Sequence, residues 1–173
     1  MSIYRLIQDS DRYDSLLVAN RDDGSIFDQF GESPLLPSWR PVVVNLFSVG
    51  QSGDFPSLRR DVPVFSERAW QALRPLIDSH VEALLLAGTT DPYFAIHVTD
   101  IADCLDHSRS EIKRLPSGGV MRVLDYKFNL ECLGDRPIFK LPETVIQEVL
   151  VSEKFKMVVK RNRLKGLIFR KIA

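Results

Sequence analysis

Cysteine is nearly absent. The 173 residues hold Cys104 and Cys132 and no others. Two thiols cannot form a dense disulfide framework, and they read as small apolar core residues of a protein in a reducing compartment. Long apolar runs are missing too. None reaches eighteen residues, which excludes a transmembrane helix, and the opening MSIYRLIQDSDRYD is too polar for a secretory signal. Histidine is scarce: His80, His97 and His107 share no ligand-like spacing with each other or with the cysteines, so no metal site is spelled out. No glycine loop of phosphate-cradling type is present, and no cofactor is implied. Net charge is zero, 23 Lys and Arg against 23 Asp and Glu. These absences leave one ordinary globular domain spanning residues 1–173, cytoplasmic and of bacterial or general cytosolic type, without a membrane partner.

What is present is unevenly spread. From Ser152 onward eight basic residues face one acid, Glu153, whereas the first 38 residues hold seven acids against three arginines. Charge blocks of opposite sign at the two ends point to electrostatic recognition or to mutual neutralisation. Two surfaces follow. One is the acidic, Pro-rich stretch with Asp22, Asp23, Asp28 and Glu32 around Phe27, Phe30 and Trp39, in which aromatic anchors ringed by charge resemble an interface hot spot. The other is a basic helix with Lys154, Lys156, Lys160 and Arg161. The long connection from Asn20 to Pro41 is expected either to be functional or to pack on its own aromatics.

Three junctions look alike: VPVFSERAWQAL, FAIHVTDIADCL and VLVSEKFKMVV. Each is an apolar run, then Ser or Thr, then an acid, then helical periodicity. The spacings from Ser66 to Thr99 and from Thr99 to Ser152 are 33 and 53 residues, so no single repeat period fits. All three read as helix N-caps with a first-turn acid. The first helix should bury Trp70 and Leu73 and be kinked or cut short by Pro75. Strands are expected at 2–7, 15–20, 42–49, 81–88, 92–98 and 120–129, in PIFKLP and in LKGLIFRKI; 42–49 is apolar enough to be buried on both faces. EIKRL and VMRVLDYKF flank Ser117-Gly118-Gly119 and read as a hairpin. Many strands and about three short helices, with consecutive strands in the second half, predict an α+β fold with a mixed, largely antiparallel sheet.

Catalytic patterns are weak. Gly50-Gln51-Ser52-Gly53 is one residue short of a nucleophile elbow, and Pro56 follows where a helix should start. Asp100, Asp103 and Asp106 would share one helix face, which reads as solvated rather than as an acid–base or cation site. Nucleic acid is disfavoured by the neutral total and by the lack of aromatics among the C-terminal lysines.

In order along the chain, FSERAWQALRPLID, FAIHVTDIADCLD, PIFKLPE and VLVSEKFKMVVKRNRLKGLIF place Phe65, Ser66, Ala69, Leu73, Val98, Asp100, Asp103, Phe139, Leu141, Pro142, Val151, Ser152, Phe155, Leu164, Gly166, Leu167 and Phe169 in a pattern. That pattern resembles a family of bacterial immunity proteins of polymorphic toxin systems, matched over roughly 62–169, with 1–61 matching less well. The resemblance implies a non-enzymatic inhibitor that binds a cognate toxin domain in the producing cell. Rival readings are a nucleic-acid- or peptide-binding accessory domain using the basic helix, and an uncharacterised enzyme using Ser52 or Asp100/Asp103. The oligomeric state stays open, a homo-oligomer included.

Overall fold

The alternation of IYRLIQ forms β1 (Ile3–Gln8). In this computed structural model, which describes residues 2–31, 33–47 and 50–173, β1 lies inside a four-stranded antiparallel sheet. Its neighbours are β11 (Leu167–Lys171) and β10 (Val149–Ser152), and β9 (Ile138–Phe139) lies beyond β10. Both faces are covered at β10, which explains its unbroken apolar VLV. Tyr4, Leu6, Val149 and Val151 face a core formed with the helices. Ile3, Leu150 and Phe139 face a second core built on residues 102–141.

The helical layer is α1 (Glu67–Ile77) packed on α3 (Glu153–Arg161). Ser66 caps α1 as its sequence predicts, its hydroxyl accepting from the Ala69 amide at 3.1 Å. The stripe Ala69, Leu73 and Ile77 is fully buried, while Trp70 is only partly covered and lies against Phe94. Pro75 does not cut α1 short: the helix runs two residues past it and continues as a 3-10 turn, Asp78–His80. Ser152 occupies the cap position of α3 with extended backbone, but its hydroxyl makes no capping bond and is buried without a hydrogen-bond partner among the described residues.

The middle junction corrects the expectation most. No helix follows Thr99. The Thr99 hydroxyl donates to the His80 carbonyl at 3.2 Å, the Ala102 amide bonds Lys140 O at 2.8 Å, and the Asn129 amide bonds Cys104 O at 2.9 Å. Those tertiary bonds hold 99–105 extended, so Asp100 and Asp103 do not share a helix face. The short helix of this region is instead α2 (Leu130–Leu133), capped by Asn129. Cys104 and Cys132 are joined in a disulfide across 28 residues, with Cα atoms 5.6 Å apart. The reading of two separate reduced core thiols is therefore corrected: the sequence placed neither beside the other, and Cys132 is exposed.

A second antiparallel sheet has the order β4-β6-β5, with β4 (Val64–Ser66), β5 (Val81–Leu85) and β6 (Tyr93–Val98). Bonds between Val42, Val44 and Ala87 attach it to the ribbon of β2 (Ser15–Val18) and β3 (Val44–Phe47). β3 is not buried on both faces as expected. Leu46 and Phe47 are about half exposed, because β3 sits in a two-stranded ribbon rather than mid-sheet; Ser48 and Val49 lie outside the described residues. The expected hairpin is present as β7 (Glu111–Arg114) and β8 (Val120–Asp125), with Gly118 at φ +87 in the turn, where a side chain would be strained. The α+β, largely antiparallel architecture is the one the sequence predicts.

Candidate functional site

The acidic stretch folds on its own aromatics. Asn20 caps a 3-10 helix, Arg21–Gln29, whose Phe27 is buried. Phe27 and Phe30 meet edge to face at 5.3 Å, and both lie about 6.3 Å from Trp39. Phe27 and Phe30 are 1% and 2% exposed, so they are core and unavailable as interface anchors. Trp39 is partly covered, its indole N–H donating to Leu85 O at 2.8 Å. Behind them His97, fully buried, is held by Glu82 at 2.8 Å and by Gly31 O at 2.6 Å. Burial works to raise the Glu82 carboxyl, but the Leu35 and Leu36 amides and the His97 ring outweigh it and hold it below its ordinary value. What remains for a partner is a rim: Asp22 and Asp23 are exposed, and Asp28 is paired with Arg59 at 2.7 Å. Glu32 lies outside the described residues.

The basic helix is partly occupied as well. Lys154 pairs with Asp135. Lys156 lies over the Tyr4 ring, 3.9 Å from its centroid, and 3.5 Å from Glu153. Lys160 and Arg161 remain exposed.

The catalytic candidates of the sequence lie in separate surroundings. Ser52 opens onto a cleft of about 430 Å³ whose lining holds no histidine. That cleft's centre is Asp54, which accepts from the Ser66 hydroxyl at 3.1 Å, the Arg68 guanidinium and the Lys165 amide at 2.8 Å. Asp100 is held by His80 at 2.6 Å and Arg136 at 3.1 Å, tying the end of α1 to the segment after α2. Asp106 turns back on Ser108 and Arg109, whose hydrogen bonds lower its carboxyl to about 2. Among the described residues no three metal-ligating side chains converge.

A larger cleft, about 890 Å³, was not legible in the sequence. Its lining brings together Arg5, Arg59, Arg60, Arg122, Arg170 and Lys171 around one carboxylate, Glu148. These cations come from β1, from the loop before β4, from β8 and from β11, so no local run announces them. The adjacent Arg59-Arg60 pair and the basic C-terminal stretch were the available signals. At the base, Arg5 pairs with Glu148 and donates to the Tyr126 hydroxyl at 2.8 Å, and that hydroxyl donates to Glu148. Burial opposes the Arg5 charge, but Glu148 and Tyr126 prevail and keep it firmly protonated; burial and the same carboxylate push the Tyr126 phenol well up. Arg59 is bonded to Asp28 and Asp61. Arg60, Arg122, Arg170 and Lys171 are exposed and have no ion-pair partner among the described residues.

The model of the Immunity protein family (Imm11) matches residues 84–173, slightly more than half of the chain. The chain belongs to this immunity protein family. The matched part begins in β5 and holds β6, the β7–β8 hairpin, β10, α3 and β11. It starts later than the segment over which the sequence resembles the family, leaving α1 outside. Membership gives an immunity function and, with it, a toxin as the kind of partner. No curated protein matches the chain. Among the described residues no helix of this Imm11 protein is long and apolar enough to cross a membrane.

Proposed function

We propose that this Imm11 protein binds a cognate secreted toxin domain and neutralises it, protecting the producing bacterium from within the cytoplasm as part of a polymorphic toxin system. It acts by occupying the toxin's surface and not by catalysis, and residues 1–173 work as a single immunity-type domain. The observation that supports this reading is the family match over 84–173. Asp100, named in the rival enzyme reading, is engaged by His80 and Arg136. The rival accessory-domain reading loses ground because Lys154 and Lys156 are engaged within the molecule. The acidic rim of Asp22, Asp23 and Asp28 is retained as a proposed toxin contact, without the buried Phe27 and Phe30. The test is co-expression in a toxin-sensitive bacterial host with the toxin domain encoded beside its gene. Survival with this chain, and death without it, is the expected outcome. Death in both cases, with the chain soluble and folded, overturns the proposal.

A further inference from the structure

Resting on the immunity reading, we propose that the basic cleft between β1, β8 and β11 is the main docking surface, and that it takes an acidic, extended segment of the partner protein. Three observations point there. First, the charge is built in and uncompensated: Arg60, Arg122 and Arg170 come from three separate elements of the fold, with Arg170 on the face of β11 that it shares with Arg5 of β1, and none has a carboxylate partner among the described residues. Holding like charges together is unfavourable unless an anionic partner offsets it. Second, the cleft offers apolar contact beside the charge. Met121 and Leu124 are each 46% exposed in its wall, which suits a peptide with aliphatic side chains between its acids. Third, β8 contributes four consecutive residues, Met121 to Leu124, to the lining. Successive side chains of a strand point to opposite faces, so an edge of β8 borders the cleft. β8 pairs with β7 alone among the described residues, which leaves that edge open to an added strand.

Nucleic acid fits less well. Single-stranded binding leans on exposed aromatic rings for stacking, and the one ring in the lining, Tyr126, is 4% exposed with its hydroxyl engaged. The Arg5–Tyr126–Glu148 network serves as the floor, and Arg60, Arg122 and Arg170 do the recognising.

The test uses two probes on the full chain. One is a labelled peptide of alternating Glu and Leu, followed by fluorescence anisotropy. The other is the toxin domain encoded beside the gene, followed by calorimetry. The variants are the triple reversal Arg60→Glu/Arg122→Glu/Arg170→Glu and the milder triple change of the same residues to Gln. Lys160→Glu/Arg161→Glu on α3 is the control, and circular dichroism checks the fold of each. The expected result is peptide binding that weakens with salt, at least tenfold loss of peptide and toxin affinity in both triple variants, and little change in the control. Toxin binding by wild type that survives in the folded Gln variant overturns the cleft while leaving the immunity reading standing. Peptide binding lost with the Gln changes, while no toxin is bound by wild type, keeps the cleft and sinks the immunity reading. Failure of the peptide to bind, or tighter binding of single-stranded DNA at the same residues, overturns the proposal.

Discussion

Lys140 carries an amine inside the core of this fold. It follows β9, is 0% exposed, and its amine has no hydrogen-bond partner among the described residues. Burial lowers its pKa from 10.5 to about 8; Asp61 partly offsets this and Arg59 adds to it. Near pH 7 the amine is therefore still charged in the folded state, at a cost. The drop from 10.5 to about 8, at about 1.4 kcal/mol per pH unit, makes that cost about 3 kcal/mol. The folded pKa is the lower one, so between about 8 and 10.5 the unfolded chain holds more protons than the folded chain. Stability then rises with pH through that window, and the penalty is fully present below it. Lys140→Met replaces the amine with an apolar side chain of similar reach and abolishes the rise. Allowing for imperfect packing, the variant should be more stable near pH 7 by about 1–3 kcal/mol. Urea denaturation of both proteins from about pH 7 to about pH 10, without thiols, should show the gap closing as pH rises. A gap that stays constant, or a variant less stable near pH 7, would refute the burial argument.

Leu73→Ala, at the fully buried centre of the α1 stripe, should cost about 2–5 kcal/mol by denaturant titration. Asp54→Ala should cost about 3 kcal/mol, because it strands the Ser66 hydroxyl, the Arg68 guanidinium and the Lys165 amide at once; Asp54→Asn should recover part of this. Reversing Asp22 and Asp23 to Lys should slow association with the toxin at low salt and leave the rate nearly unchanged at high salt, since an exposed rim steers more than it binds. A rate indifferent to both charge and salt removes the rim from the interface.

Where local pattern decided structure, the sequence was readable. The α1 stripe, the Ser66 cap, the hairpin turn at Gly118 and the strands β1, β10 and β11 all follow from periodicity, capping chemistry and turn residues acting over a few positions. The misreadings arise where distant partners override that pattern. TDIADCL has a plausible helical stripe, yet Lys140, Phe128 and Cys132 reach it from outside its own window and hold it extended. VVVNLF looked doubly buried because composition does not reveal whether a strand has two neighbours. Phe27 and Phe30 could be placed near acids but not on one side of a surface. The basic cleft is the extreme case, since its cations are about 165 residues apart at their furthest, from Arg5 to Lys171, and only the antiparallel pairing of β1 with β11 brings those ends together.

The disulfide encloses more than its two cysteines. Both strands of the β7–β8 hairpin lie between Cys104 and Cys132, so the bond closes the loop that forms one wall of the basic cleft. By loop entropy such a closure is worth about 3–4 kcal/mol, gained by restricting the unfolded chain. If the cleft is the docking surface proposed above, the bond would keep this wall in place for an incoming strand, and its reduction would leave more ordering to be done on binding. The electron supply of the compartment would then act as a setting on the protein's affinity. A chain held in a thiol-rich cytoplasm and the same chain after exposure to an oxidant would present the same cations with different readiness to use them.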